Sequence, residues 1–380
     1  MTISAGIAVR TAAALALILV GSAVAAALLW RLARPRMRRQ RWTGVNYRGQ
    51  RIIATSGLLV VAVGVASASV VAALARRATG WFAYVSGSIG RAPAEVFEGS
   101  GPLDLVPTDA LRTPPVASAT GAVATASALV AFGLLGYRDD TRGDGDASGF
   151  AAHLARSLRT RRLTTGAQKA LGGGAVALLS VQILLFGNVA VLWSSRGWGD
   201  GYAVMRSFEH LVIGSHESWT MIPWLRGAAV VALSANLLNL LDRAPGRATK
   251  AALAWWLCGL VPAAVFGSPW PQGFRFAEVG AGWFAWHSPA LWAAGAVGAA
   301  VGLLRSELAE AHMLGDTGVN PLGAALGLAT VAMSPASVEW AVLAFLAALN
   351  LASERWSFSR IIDAVPPLRW LDRLGSPYRN

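Results

Sequence analysis

Three stretches of this chain place carboxylates where phosphate chemistry could use them. Adjacent Asp139 and Asp140 stand in Gly136-Tyr-Arg-Asp-Asp-Thr-Arg-Gly-Asp144, at the end of an apolar run. Two neighbouring carboxylates repel, and enclosing both is costly unless a cation compensates. Mg²⁺ held partly by a substrate phosphate is one solution; a solvated acidic turn is the other. Asn236, Asn239 and Asp242 recur at three-residue intervals. Each step turns a helix by about 300°, so the three side chains share a stripe about 120° wide. Asn residues in a membrane also simply bond helices together. Arg243, Arg247 and Lys250 follow at once, and cations beside a carboxylate suit a phosphate–metal complex. Asp316 lies between Gly315 and Gly318 ahead of an apolar run. Glycines let backbone approach a ligand and a helix start favours an anion, although an ordinary helix cap has the same sequence.

The elements that must position these residues are membrane helices. Of 380 residues, 54% are hydrophobic and 14% charged, with a mean hydropathy of +0.48, which excludes a pair of soluble domains. Forty-one Gly and sixteen Trp fit packed membrane helices with an aromatic belt and exclude a disordered chain or a coiled coil. The net charge of +13 sits in short basic blocks between apolar runs, so membrane orientation accounts for it and nucleic acid is not expected as a partner. The single Cys258 excludes an internal disulfide and a thiolate metal cluster.

A spanning helix needs about 20 apolar residues. Runs of that kind cover 11–30, 56–75, 116–136, 167–193, 223–241, 251–268, 283–304, 319–334 and 337–353. The expectation is an all-α polytopic bundle of about nine transmembrane helices. Arg31, Arg34, Arg36, Arg38, Arg39 and Arg41 after the first run favour a retained anchor with its N-terminus outside. The inner segments are then 31–55, 137–166, 242–250, 305–318 and 354–380, which with Lys169 hold 24 of the 33 Lys and Arg residues, as that orientation requires. Residues 1–380 form one domain, with 354–380 as a cytoplasmic C-terminal tail. The outer-loop residues Glu209, His210, His216 and Glu217 lack the spacing of a zinc peptidase. His312 is read either as a ligand contact or as an interface histidine.

Taken in order, these blocks resemble the polyprenyl-phosphate sugar-1-phosphate transferase family, which includes phospho-MurNAc-pentapeptide translocase and the GlcNAc-1-phosphate transferases. The matching residues are Asn46-Tyr-Arg-Gly-Gln-Arg51 with Thr55-Ser-Gly57, the pair Asp139-Asp140, Leu163-Thr-Thr-Gly-Ala-Gln-Lys169, the Asn-x-x-Asn-x-x-Asp of Asn236 to Asp242, and the Gly-Asp-x-Gly of Gly315 to Gly318. The resemblance implies transfer of a sugar-1-phosphate from a UDP-sugar, an N-acetylated amino sugar, to polyprenyl phosphate at the cytoplasmic face of a bacterial cell membrane. Mg²⁺ is the implied cofactor, with Mn²⁺ as a substitute, and a homodimer is compatible. It also implies catalytic roles for Asp139, Asp140 and Asp242, and metal ligation by Asp316 and Asp140. Asn236, Asn239, Arg247, Lys250, Lys169 and Thr165 would bind substrate. The chain departs from the family where Pro245 replaces a second Asp, where Met313 replaces an aromatic, and where 354–380 contain no His. Those departures leave a second reading, a non-catalytic member that binds lipid phosphate or serves envelope assembly.

Overall fold

A computed structural model describes residues 5–38, 42–46, 48–89, 114–142, 165–196, 221–266 and 288–378. Helices dominate it. In chain order they are α1 (Ala5–Met37), α2 (Gly57–Ile89), α3 (Pro114–Arg142), α4 (Thr165–Arg196), α5 (Met221–Leu241), α6 (Arg247–Phe266, with a π-helical turn at Trp256–Leu260), α7 (Ala290–Leu308), α8 (Asp316–Met333), α9 (Ala336–Arg355), α10 (Phe358–Ala364) and α11 (Pro366–Arg373). Every apolar run of the sequence lies on or overlaps one of the first nine. Seven of these helices are long and apolar enough to cross a membrane: α1, α2, α3, α5, α6, α7 and α9. The chain is a helical membrane protein. In α4 the described apolar stretch is the shorter Gln168–Leu184.

The helix α8 is the axis of the bundle. Every residue from Thr317 to Ala332 is buried, and α2, α3, α5 and α7 pack around it. A helix that is apolar on all sides belongs in such a place, because no face of it needs water. In α7 the glycines Gly298 and Gly302 lie one turn apart, and a Cβ on either would collide with the backbone oxygen of Leu19 or Ala23 in α1. Small residues at that spacing let two membrane helices approach closely, which is where dispersion contacts are gained when lipid supplies no hydrophobic drive. Ser22 and Ser67 add a 2.7 Å hydroxyl pair between α1 and α2.

Two features were not legible as secondary structure. Strands β1 (Thr43–Val45) and β2 (Arg51–Ile53) form an antiparallel hairpin within the segment 31–55. Asn46 closes it by accepting backbone hydrogen bonds from Arg48 and Gln50 at 3.0 and 2.8 Å. Residues expected as a plain tail carry the short helices α10 and α11. Of the other sequence features, Glu209, His210, His216 and Glu217 lie outside the described residues.

Candidate active site

Four helix ends meet at one end of the bundle. Asp139 and Asp140 occupy the last turn of α3, Lys169 the start of α4, Asn239 and Asp242 the end of α5, and Gly315-Asp316-Thr317 the start of α8. The helix α8 begins with its first backbone N–H groups unbonded within the helix, and its N-cap, Gly315, has no side chain to satisfy them. Asp140 does so from another helix. Its Oδ1 accepts from the Asp316 N–H at 3.0 Å, and its Oδ2 accepts from the Thr317 N–H at 2.9 Å and the Thr317 hydroxyl at 2.5 Å. Asp242 Oδ2 accepts from the Gly315 N–H at 3.1 Å. The anion that the start of α8 favours is thus supplied by the protein itself.

Gly315 adopts φ +65°, and a Cβ there would collide with the Ala54 carbonyl. At Gly136, one turn before the acidic pair, a Cβ would strike the backbone of Asp316. These two glycines let α3 and the start of α8 come close enough for the Asp140 bonds to form.

Asp139 turns the other way. Its Oδ2 lies 3.2 Å from Lys169 Nζ, and the same ammonium is in direct contact with Asp316 Oδ2. Asn239 joins them: its amide nitrogen donates to Asp316 Oδ1 at 2.9 Å and its oxygen accepts from Lys169 at 2.6 Å, in the amide orientation that satisfies both. Two carboxylates and an amide oxygen therefore converge on one positive charge. Asp242 is held well above the usual carboxylate range, first by burial and then by the negative charges of Glu307, Asp316 and Asp140.

The donor set around Lys169 bears on the implied metal. Among the described residues no group of three His, Cys, Asp or Glu side chains could hold a metal ion. Mg²⁺ does not need three, because it is commonly bound by one or two carboxylates with substrate phosphate and water. Asp139, Asp316 and the Asn239 oxygen fit that pattern at a point now held by an ammonium. Both oxygens of Asp140 already accept hydrogen bonds from the start of α8.

The remaining expected site residues separate from this cluster. Asn236 donates to Asn350 of α9 at 2.6 Å and so joins two helices. Arg247 forms two parallel bonds to Asp372, Nε to Oδ1 at 2.7 Å and Nη2 to Oδ2 at 2.9 Å, and a third to Ser359 at 2.9 Å. Lys250 donates to the carbonyls of Leu371, Asp372 and Leu374 at 2.7–3.0 Å. Thr165 opens α4, and its side chain lies outside the described residues. His312 is an interface histidine: its ring nitrogens lie 2.8 and 2.9 Å from Ser56 and Ser306, and Trp30 stacks edge-on at 4.3 Å. Burial holds its imidazole down, to about 4.

Four buried acids, Glu307, Glu310, Glu339 and Asp372, carry no spacing signal in the sequence, and Glu307 lies deepest. Glu307 is fully enclosed; its Oε2 accepts from Thr249 at 3.0 Å and its Oε1 has no partner among the described residues. A lone Glu near the end of an apolar helix was the available signal. Glu307, Asp242, Arg243, Glu310, His312 and Met313 line a pocket of about 110 Å³ beneath the β1–β2 hairpin. That is smaller than the 300–1,000 Å³ of ordinary ligand sites, so it takes at most part of a nucleotide. No family model, curated protein or solved structure matches the chain.

Proposed function

We propose that the chain transfers a sugar-1-phosphate, from the UDP derivative of an N-acetylated amino sugar, to polyprenyl phosphate and releases UMP. The observation that carries this reading is the convergence of Asp139, Asp140, Asp242 and Asp316 with Asn239 and Lys169 from four separate helices. In the reaction a phosphate oxygen of the lipid attacks the β-phosphorus of the donor, and the bond from that phosphorus to the bridging oxygen of the α-phosphate breaks. A lipid phosphate is already anionic near neutral pH, so positioning and charge neutralisation matter more than a strong base. Mg²⁺, or Mn²⁺ in its place, would be held by Asp139 and Asp316 with substrate phosphate, and would neutralise the diphosphate leaving group. Lys169, bound to both carboxylates and to Asn239, is placed to hand its charge to an incoming phosphate. Asp140 and Asp242 fix the start of α8, and with it Asp316.

On this reading Arg247, Lys250 and Asn236 support the site without touching substrate. The protein crosses a bacterial cell membrane nine times with its N-terminus outside, and the cluster lies at the cytoplasmic face, where both substrates are found. Purified protein in detergent should release UMP from a UDP-amino sugar and polyprenyl phosphate in the presence of Mg²⁺. Asp316→Asn should lower that rate about 100-fold or more. Absence of turnover across a panel of nucleotide sugars defeats the enzymatic reading.

A second reading has its own support. Lys169 already pairs with both Asp139 and Asp316, and both oxygens of Asp140 are used within the protein. A non-catalytic protein that binds lipid phosphate in envelope assembly needs no more. It should bind polyprenyl phosphate but show no metal-dependent binding of nucleotide sugar.

A further inference from the structure

The last described segment packs with its amphipathic sense reversed. Successive residues of a helix advance about 100°, which puts Leu368, Trp370 and Leu371 of α11 within an arc of about 160° and Arg369, Asp372 and Arg373 on the other side. In a helix that covers a protein core the apolar arc faces inward. Here Asp372 does: it is the buried residue of the helix, held by Arg247 at the start of α6, with Lys250 closing the carbonyls at the C-terminal end, while Arg369 on the same polar side stays exposed. The apolar arc is left open, with Trp370 66%, Leu371 46% and Leu368 44% exposed. Trp356, Ile361, Leu374 and Tyr378 along the same segment are also exposed.

Both attachments of this segment lie at ends of membrane-length helices. The chain enters it from α9, which ends at Arg355, and the Arg247 clamp fixes it to the first residue of α6. An apolar arc exposed at that level meets the boundary between acyl chains and headgroups. Tryptophan favours that boundary, and Arg360, Arg369 and Arg373 suit the phosphates of anionic lipids there.

We infer that residues 357–378 form an in-plane interfacial anchor: α11 is bolted to the bundle through its polar side and inserts Leu368, Trp370 and Leu371 into the surface of the bilayer. The occupant of the exposed face is lipid. This depends on the membrane reading of the chain and not on the proposed reaction.

The test uses the full chain with Cys258→Ser, reconstituted in vesicles of phosphatidylcholine and phosphatidylglycerol. Single cysteines at Leu368, Trp370, Leu371 and Arg369 carry a nitroxide spin label. At 368, 370 and 371, collision with oxygen should exceed collision with a water-soluble nickel chelate several-fold, and the order should reverse at 369. Equal nickel access at all four positions overturns the anchor. Protection of 368, 370 and 371 from both reagents also overturns it, by showing that a second copy or another protein covers the face. Brominated lipids supply a readout with a conservative change: Trp370→Phe should lose part of the quenchable fluorescence of the wild-type protein, and an unchanged quenchable fraction counts against insertion.

Discussion

Two charged clusters at the same end of the bundle are built on opposite principles. The Arg247–Asp372 pair is closed: one cation meets one carboxylate through two short parallel bonds, both partners are buried, and Ser359 takes a further guanidinium donor. The other cluster is open in charge, with Asp139 and Asp316 on the ammonium of Lys169 and Asp140 and Asp242 beside them on the backbone at the start of α8. A protein has no structural need to crowd four acids, because each added carboxylate raises the cost of ionising the rest. The balanced pair is a fastening. The unbalanced cluster is what a site for a cationic or metal–phosphate ligand looks like.

The comparison breaks most sharply in activity. Lys169→Met should reduce UMP release about 100-fold or more, whereas Arg247→Lys, which keeps the charge and loses the planar fork, should leave the rate of the folded fraction within about threefold of wild type. Comparable losses in both variants would erase the distinction. In stability the order inverts. Arg247→Met strands a buried Asp372 carboxylate and should cost about 3–5 kcal/mol, read as a fall in Tm, while adding Asp372→Leu should recover most of it. Failure of the double variant to recover would mean that the pair does more than fasten α11.

Smaller effects sharpen the same contrast inside the open cluster. Asp140→Ala removes the acceptor for two N–H groups at the start of α8 and should cost about 1–2 kcal/mol by thermal unfolding, with Asp140→Asn less damaging. Asp242→Asn should do the reverse and stabilise by about 1 kcal/mol at neutral pH, because it deletes an ionisable group whose charge is opposed first by burial and then by its acidic neighbours. The sign follows from the direction of its shift. A carboxyl raised in the folded state binds a proton more readily there than in the unfolded chain, so wild-type stability is penalised as pH rises past about 3.9. The advantage of the Asn variant should therefore vanish below about pH 4, and an advantage that persists there would point to another cause. Asn236→Leu, which loses one interhelical bond to Asn350, should cost about 0.6 kcal/mol.

How far the sequence reached depended on range. Hydropathy found the helices, since length and apolarity are properties of contiguous residues, and the three-residue rhythm of Asn236, Asn239 and Asp242 marked a helix end. Spacing also singled out Asp139, Asp140 and Asp316, but it could not say that adjacent aspartates would face different partners, one a lysine and the other a helix start. That choice is made by Gly136 and Gly315, which set the distance between α3 and α8. Arg247 and Lys250 looked like phosphate ligands because nothing local to them hinted at Asp372, 125 residues beyond Arg247. The β1–β2 hairpin was hidden for a different reason: strands of three residues carry too little alternation to stand out.

Calorimetric titration of the detergent-purified protein with a UDP-amino sugar, with and without Mg²⁺, tests the open cluster most directly. Binding that requires Mg²⁺, disappears in Asp316→Asn and survives in Arg247→Lys is the expected result. Binding that ignores both the metal and Asp316, or no binding beside an intact fold, would contradict the account.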